Sequence, residues 1–340
     1  MKALRWLRCA PAALIALICA SALSSCGSGS PSVLDPHSPE ARRIAGLFWL
    51  MLALATVVYF VVVGLVLLAL RRRGDSSEPG APDSTAEGRG RTNWFIVIGG
   101  LAVPILVLSV VATATVGATR ALQEKSGVIH IEVDAQQFWW RLTYPDDHVV
   151  SANEIHIPVG QPVELTLTSD NVIHSFWVPQ LHGKKDTIPG QPNRLTFTAQ
   201  AAGEYRGQCA EFCGIGHALM AILVIAQPEA EYRQWLADNA AAPAAPTDPE
   251  AIKGQRLFEN GSCAGCHAVA GTAATATFGP DLSHFGSRQT IAALTLPNDP
   301  DHLARWLAHT QDVKPGARMP DIDLTAAEIQ QLVAYLESTR

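Results

Sequence analysis

Apolar residues are concentrated in two long runs near the start of the chain. Ile44 to Leu70 carries no charge and is followed at once by Arg71-Arg72-Arg73. As a helix it is long enough to cross the roughly 30 Å hydrocarbon core of a lipid bilayer. A second run extends from Trp94 to about Ala118, with Arg89 and Arg91 just ahead of it and Pro104 inside it. A membrane helix tolerates such a proline where neighbouring groups re-satisfy the freed carbonyl. The pattern therefore predicts a transmembrane hairpin within residues 26–120, with helices at about 44–70 and 94–118. Arginines on both sides of the short intervening loop place that loop in the cytoplasm. The N-terminus and everything beyond residue 120 then lie on the outer face.

From about Gly127 the period changes to alternation of two. Val128–Val133, Glu154–Ile157, Val163–Thr168 and Leu195–Thr198 read as short strands, punctuated by Pro158-Val-Gly-Gln-Pro162, Pro189-Gly-Gln-Pro192 and Ala201-Ala-Gly203. An all-β sandwich over residues 121–238 is expected, closed by a short helix from Glu229 to Asp238. An Ala/Pro linker follows at 239–248. Residues 249–340 then show helical signals: Asp248-Pro249 and Asp299-Pro300 as helix starts, and Thr325-Ala-Ala-Glu328 as a capping box before Ile329, Leu332, Val333 and Leu336 on one face. The expected fold class is multidomain: two N-terminal transmembrane helices, a β-sandwich, then a small all-α domain.

Composition agrees with a membrane chain, at 48% hydrophobic and 16% charged residues. The net charge of −6 comes with no basic patch, so nucleic acid is not an expected partner. Lys2, Arg5 and Arg8 precede the apolar run Ala10–Ala22, an export signal. The segment ends Leu23-Ser24-Ser25-Cys26, which resembles a lipoprotein cleavage box. Residues 1–25 are thus expected to be removed and Cys26 to be lipidated.

Two short motifs carry the chemistry. Cys209-Ala-Glu-Phe-Cys213-Gly-Ile-Gly-His217-Ala-Leu-Met220 gathers two thiols, an imidazole and a thioether, and His174 in His-Ser-Phe-Trp precedes it. Thiolate, imidazole and thioether form the ligand set of a copper electron-transfer centre. Two bridging-capable cysteines, where a mononuclear site needs one, point to a dinuclear centre. A Cys209–Cys213 disulfide is the alternative in an oxidising compartment. Cys263-Ala-Gly-Cys266-His267 is the attachment motif of a c-type haem, with His267 as its proximal ligand. Downstream, Met319 is the available thioether for the sixth position, with His284, His302 and His309 as competitors. His130, His148, His156 and His182 are expected to be ordinary strand or loop residues.

The hairpin, the sandwich, His174-Ser-Phe-Trp-Val-Pro179, Lys185-Asp-Thr-Ile-Pro-Gly190 and the 207–220 motif together resemble subunit II of the haem–copper cytochrome c oxidases, over roughly residues 40 to 228. The resemblance implies a cupredoxin-like domain with a dinuclear copper (CuA) centre. Cys209 and Cys213 would bridge the metals, with His174 and His217 as one imidazole each and Met220 and the Glu211 carbonyl as weak outer ligands. It also implies that the Glu211 carboxylate reaches a magnesium ion at the contact with subunit I. Gly279-Pro-Asp-Leu282 resembles the haem-packing loop of class I cytochromes c. One departure is visible: where the family often starts an aromatic cluster with Trp, this chain has Phe138-Trp139-Trp140.

The expected function is that of an electron-accepting oxidase subunit in a bacterial inner membrane, with its copper and haem domains on the periplasmic face. Electrons from a cytochrome c or an upstream complex would pass through haem c and copper to subunit I, with coupled proton translocation. The other oxidase subunits and the bilayer are the implied partners. The chain has no candidate oxygen-reducing site of its own. A membrane-anchored copper chaperone, which needs neither Met220 nor a fused haem, is the alternative. A soluble-side reductase would need a further metal cluster.

Overall fold

The computed structural model describes residues 31–74, 93–121 and 129–340. The expected signal peptide, Cys26, and Arg89 and Arg91 lie outside the described residues.

Both apolar runs form helices. α1 spans Pro39–Gly74. The second span runs over Asn93–Arg120 and overlaps α2, Val103–Ala121. Neither buries its most apolar stretch against the rest of the protein, as a core helix would. A π-helical turn at Ile98–Ala102 precedes Pro104, at the turn where proline leaves a carbonyl without its usual donor. The start of α1 is clamped to the sandwich. Ser38 Oγ accepts from Ala41 N at 2.9 Å and donates to Leu181 O. His37 bonds through its backbone to Gln180 O and Gln200 N at 2.7 and 2.9 Å.

The sandwich is built from β1 (Ile129–Gln136), β2 (Trp139–Tyr144), β3 (Val149–Ala152), β4 (Glu154–Pro158), β5 (Val163–Ser169), β6 (His174–Trp177), β7 (Lys185–Thr187), β8 (Asn193–Phe197), β9 (Gly203–Cys209) and β10 (Ala221–Gln227). One sheet has the order β3-β2-β1-β5-β8 and the other β4-β10-β9-β6-β7. β1 and β5 run parallel, Ile131 opposite Leu165 and Val133 opposite Leu167. These alternate positions, with Trp140, Leu142, Ile155 and Ile157, are fully buried between the sheets. Each such aliphatic side chain contributes about 1.5–3 kcal/mol by leaving water. α3 (Glu229–Ala240) follows, and its Trp235 stacks on His156 at 4.1 Å.

The C-terminal domain contains α4 (Pro249–Asn260), α5 (Pro300–Ala308), α6 (Thr310–Val313) and α7 (Ala326–Ser338), with a two-residue ladder between β11 (Thr290–Ile291) and β12 (Leu296–Pro297). The caps are those the sequence predicts. Asp248 and Asp299 accept from the first-turn amides of α4 and α5, and Thr325 and Glu328 bond reciprocally. α4 and α7 cross closely: a Cβ on Gly254 would collide with the Gln331 carbonyl. Phe258 and Tyr335 fill the crossing.

Candidate metal centres

Strand pairing assembles the first centre. β6 lies antiparallel to β9, Phe176 opposite Cys209, which brings His174 to the loop that leaves Cys209. Cys209 N donates to Met220 O at 2.8 Å, closing that loop, and Ala210 N donates to Ser175 O at 2.9 Å. A single 3₁₀ turn at His217–Leu219 then directs His217 back toward the sulfurs.

All the expected donors converge. The two Sγ atoms are 3.9 Å apart, so the cysteines are free thiols and not a disulfide. Cys209 Sγ lies 3.9 Å from His174 Nδ1 and 3.2 Å from Glu211 O. Cys213 Sγ lies 3.7 Å from His217 Nδ1 and 3.9 Å from Met220 Sδ. His174, Cys209, Cys213 and Met220 are buried. The thiol of Cys213, hydrogen-bonded to Cys209, holds the Cys209 thiol well below its ordinary range, and the same contact raises Cys213. One proton leaves easily and the second does not, because two thiolates this close repel. Soft cations between the sulfurs would relieve that repulsion, so the donor set fits copper.

Asn171 completes the arrangement, although it belongs to neither cysteine motif. Its Oδ1 lies 3.0 Å from His174 Nε2, which turns Nδ1 toward the sulfurs and fixes the tautomer. Its position three residues before His174 is the only local signal. The Glu211 carboxylate points away and pairs with Lys184 at 3.7 Å.

The three aromatics have separate positions. Trp140 is core, edge-on to Phe176 at 5.8 Å. Trp139 lies beneath the Arg141 guanidinium at 5.4 Å. Phe138 covers the copper loop so closely that a Cβ on Gly216 would overlap its ring.

Phe138 and Trp139, with Gln136, Gln137 and Asn153, also line a cavity of about 270 Å³, whose remaining wall belongs to the helical domain. Cys263, Cys266, His267 and Met319 face this cavity, among Phe258, Leu303, Leu307 and Leu332. His267 Nδ1 donates to Pro280 O at 2.7 Å, leaving Nε2 as the free ligand atom. Burial lowers the pKa of this ring, keeping it neutral. Gly279 is required here, because a Cβ would stand 2.6 Å from His267 Cε1. The Met319 loop is held by Gln311, whose Nε2 donates to Met319 O and Ala317 O at 2.7 and 2.8 Å. The three competing histidines do not line the cavity. His284 bonds Ala241 O and His302 bonds Asp299. An apolar hollow with two thiols, one oriented imidazole and one thioether fits a covalent haem.

Comparison with known proteins agrees with both halves. Residues 147–227 match the family model described as cytochrome c oxidase subunit II, periplasmic domain, and residues 251–340 match cytochrome c. Cytochrome c oxidase subunit 2 of Alkalihalophilus pseudofirmus is 34% identical over 334 residues, covering 94% of each chain. The subunit of the same name from Bacillus sp. (strain PS3) is 35% identical over 260 residues, 70% of this chain and 72% of its own. A solved periplasmic domain of cytochrome oxidase subunit II from Bradyrhizobium japonicum is 28% identical. It covers 34% of this chain and 95% of that one, with a TM-score of 0.33. The subunit II match thus precedes the cytochrome c match along one chain, and the chain belongs to the cytochrome c oxidase subunit II family, with a C-terminal cytochrome c domain.

Proposed function

We propose that this chain is the electron-accepting subunit of a respiratory cytochrome c oxidase in a bacterial inner membrane. Electrons from a cytochrome c or an upstream complex are taken up in the 249–340 domain and passed to the 121–238 domain. They leave for the oxygen-reducing site of subunit I, in a reaction coupled to proton translocation. The hairpin within residues 26–120 anchors both domains on the periplasmic side, with an acyl chain at Cys26. The haem c and the dinuclear copper, when bound, each take up and release a single electron.

The residues divide the work. Cys263 and Cys266 would hold the haem covalently, and His267 and Met319 would ligate its iron. That pair raises the potential and excludes small ligands. Cys209 and Cys213 would supply the two thiolates that hold the coppers, His174 and His217 one imidazole each, and Met220 and the Glu211 carbonyl would complete the set. Thiolates fixed on a rigid sandwich would minimise rearrangement when charge changes. The Glu211 carboxylate, directed outward, is assigned to a magnesium ion at the subunit I contact.

The observation that carries this reading is the position of Phe138. Its ring touches the copper loop at Gly216 and forms part of the haem cavity wall. Gln137 beside it reaches both sides by hydrogen bonds, to Cys213 O and from Arg318, but Phe138 brings the aromatic ring, and we assign it to the path between the two donor sets. The test is to quantify metals in the purified complex and record optical and paramagnetic resonance spectra. Two coppers sharing one unpaired electron beside a low-spin His/Met haem are expected. One exchangeable copper, or none, would replace this reading with the chaperone.

A further inference from the structure

The copper and haem domains exchange one buried charged side chain each. Glu154, at the start of β4, is 2% exposed. Its carboxylate accepts from Gln289 N and Thr290 N of the haem domain at 3.1 and 2.9 Å, and from Thr290 Oγ1 at 2.7 Å. Arg288 adds an opposite charge nearby. In the other direction Lys314, just ahead of the Met319 loop, is 3% exposed. Its Nζ donates to Phe138 O of the copper domain at 2.7 Å and to Ala292 O at 2.8 Å. Ala292, Ala293 and Leu294 all adopt left-handed backbone, with φ of 54°, 58° and 62°. This sterically costly turn is the one that presents Ala292 O to Lys314. Gln137 adds a further contact across the same two domains: it donates to Cys213 O at 2.7 Å and accepts from Arg318, beside Met319, at 3.3 Å.

Burying an ammonium or a carboxylate is unfavourable unless its hydrogen-bonding positions are filled. For Glu154 the filling groups lie on the opposite domain, and for Lys314 half of them do. A shifted docking would strand a desolvated charge on one side and unpaired backbone groups on the other. Apolar contacts alone tolerate such shifts; this polar pattern does not.

We propose that Glu154 and Lys314 are positioning residues that lock the haem domain onto the copper domain in a single register. The chain then works as a pre-docked unit and not as two domains joined only by a linker. The consequence for electron transfer rests on the relay proposed above, whereas the docking does not.

Each latch can be read from the other. In the purified, metal-loaded oxidase, Lys314→Ala removes the haem-domain latch and leaves Glu154 intact. The Gln289 and Thr290 amides, protected by Glu154, should then exchange hydrogen at least about tenfold faster, equal to about 1.4 kcal/mol. Glu154→Ala should slow haem-to-copper electron transfer by a similar factor while both metal spectra persist. Unchanged exchange in Lys314→Ala and an unchanged transfer rate in Glu154→Ala would overturn the proposal. Should either variant fail to take up its metals, a lengthened linker in the otherwise native chain decides. A locked dock keeps amide protection and transfer rate constant, whereas a tethered pair loses both. A native oxidase that shows no haem-to-copper transfer would defeat the relay and leave the latch standing on the exchange data.

Discussion

His174 and Asn171 form a pair: Nε2 of the imidazole meets Oδ1 of the amide at 3.0 Å, and the opposite ring nitrogen faces Cys209. Removing such an outer partner typically lowers metal affinity by roughly 10–100-fold. Asn171→Ala should therefore weaken copper binding by that factor while the sandwich stays folded. Competition with a chelator of known affinity measures it; wild-type affinity would exclude the orienting role.

Gly279 lies against the His267 ring, and a methyl group there has no room. Gly279→Ala should push the imidazole off its Pro280 bond, with a loss of about 1–3 kcal/mol typical of overpacking. The visible spectrum of the matured protein should shift from low-spin toward high-spin haem. A purely low-spin spectrum at native melting temperature would count against this packing.

At the crossing of α4 and α7, Gly254→Ala places a methyl group against the Gln331 carbonyl. The helices must separate, which opens the core around Phe258 and Tyr335. We expect a loss of at least about 1–3 kcal/mol, and lower haem content, because both helices line the haem cavity. Calorimetry and a haem-to-protein ratio read both effects; an unshifted melting temperature would contradict the close crossing.

His156 is half-buried beneath Trp235 and bonded to Gln227, and desolvation pushes its pKa down to about 4. Between that value and the ordinary 6.5, the unfolded chain binds a proton that the folded one refuses. Stability is therefore full above 6.5 and falls with pH down to about 4, by up to roughly 3 kcal/mol. His156→Phe should flatten that part of the pH profile of thermal unfolding. An equally steep profile in the variant would assign the dependence elsewhere.

The readable parts of the chain were those whose cause is local. Alternation placed β1, β4, β5 and β8 to within a few residues, because a half-buried strand shows its period in a handful of positions. The capping box at Thr325 and Glu328 closes within one turn. The two cysteine motifs were legible because metal and haem chemistry restricts spacing. Asn171, Glu154 and Lys314 were not, since their partners are set by tertiary contact. Lys314 in Val-Lys-Pro-Gly looks like a solvated loop lysine, and only the opposing domain makes it a buried one. The roles of Phe138, Trp139 and Trp140 were equally hidden: three adjacent aromatics share a texture and differ only in what each faces.

The clamp at the start of α1 has a consequence for biogenesis. Ser38 is synthesised early, but its partner Leu181 lies 143 residues further on. In the topology proposed above, the contact can close only after both apolar helices have inserted and the sandwich lies on the same side as the N-terminus. A chain in which only one of the two helices had inserted would leave His37 and Ser38 across the bilayer from Gln180 and Leu181. Closing the clamp thus acts as a checkpoint on pairing, rewarding only those molecules in which the second helix has followed the first across the bilayer.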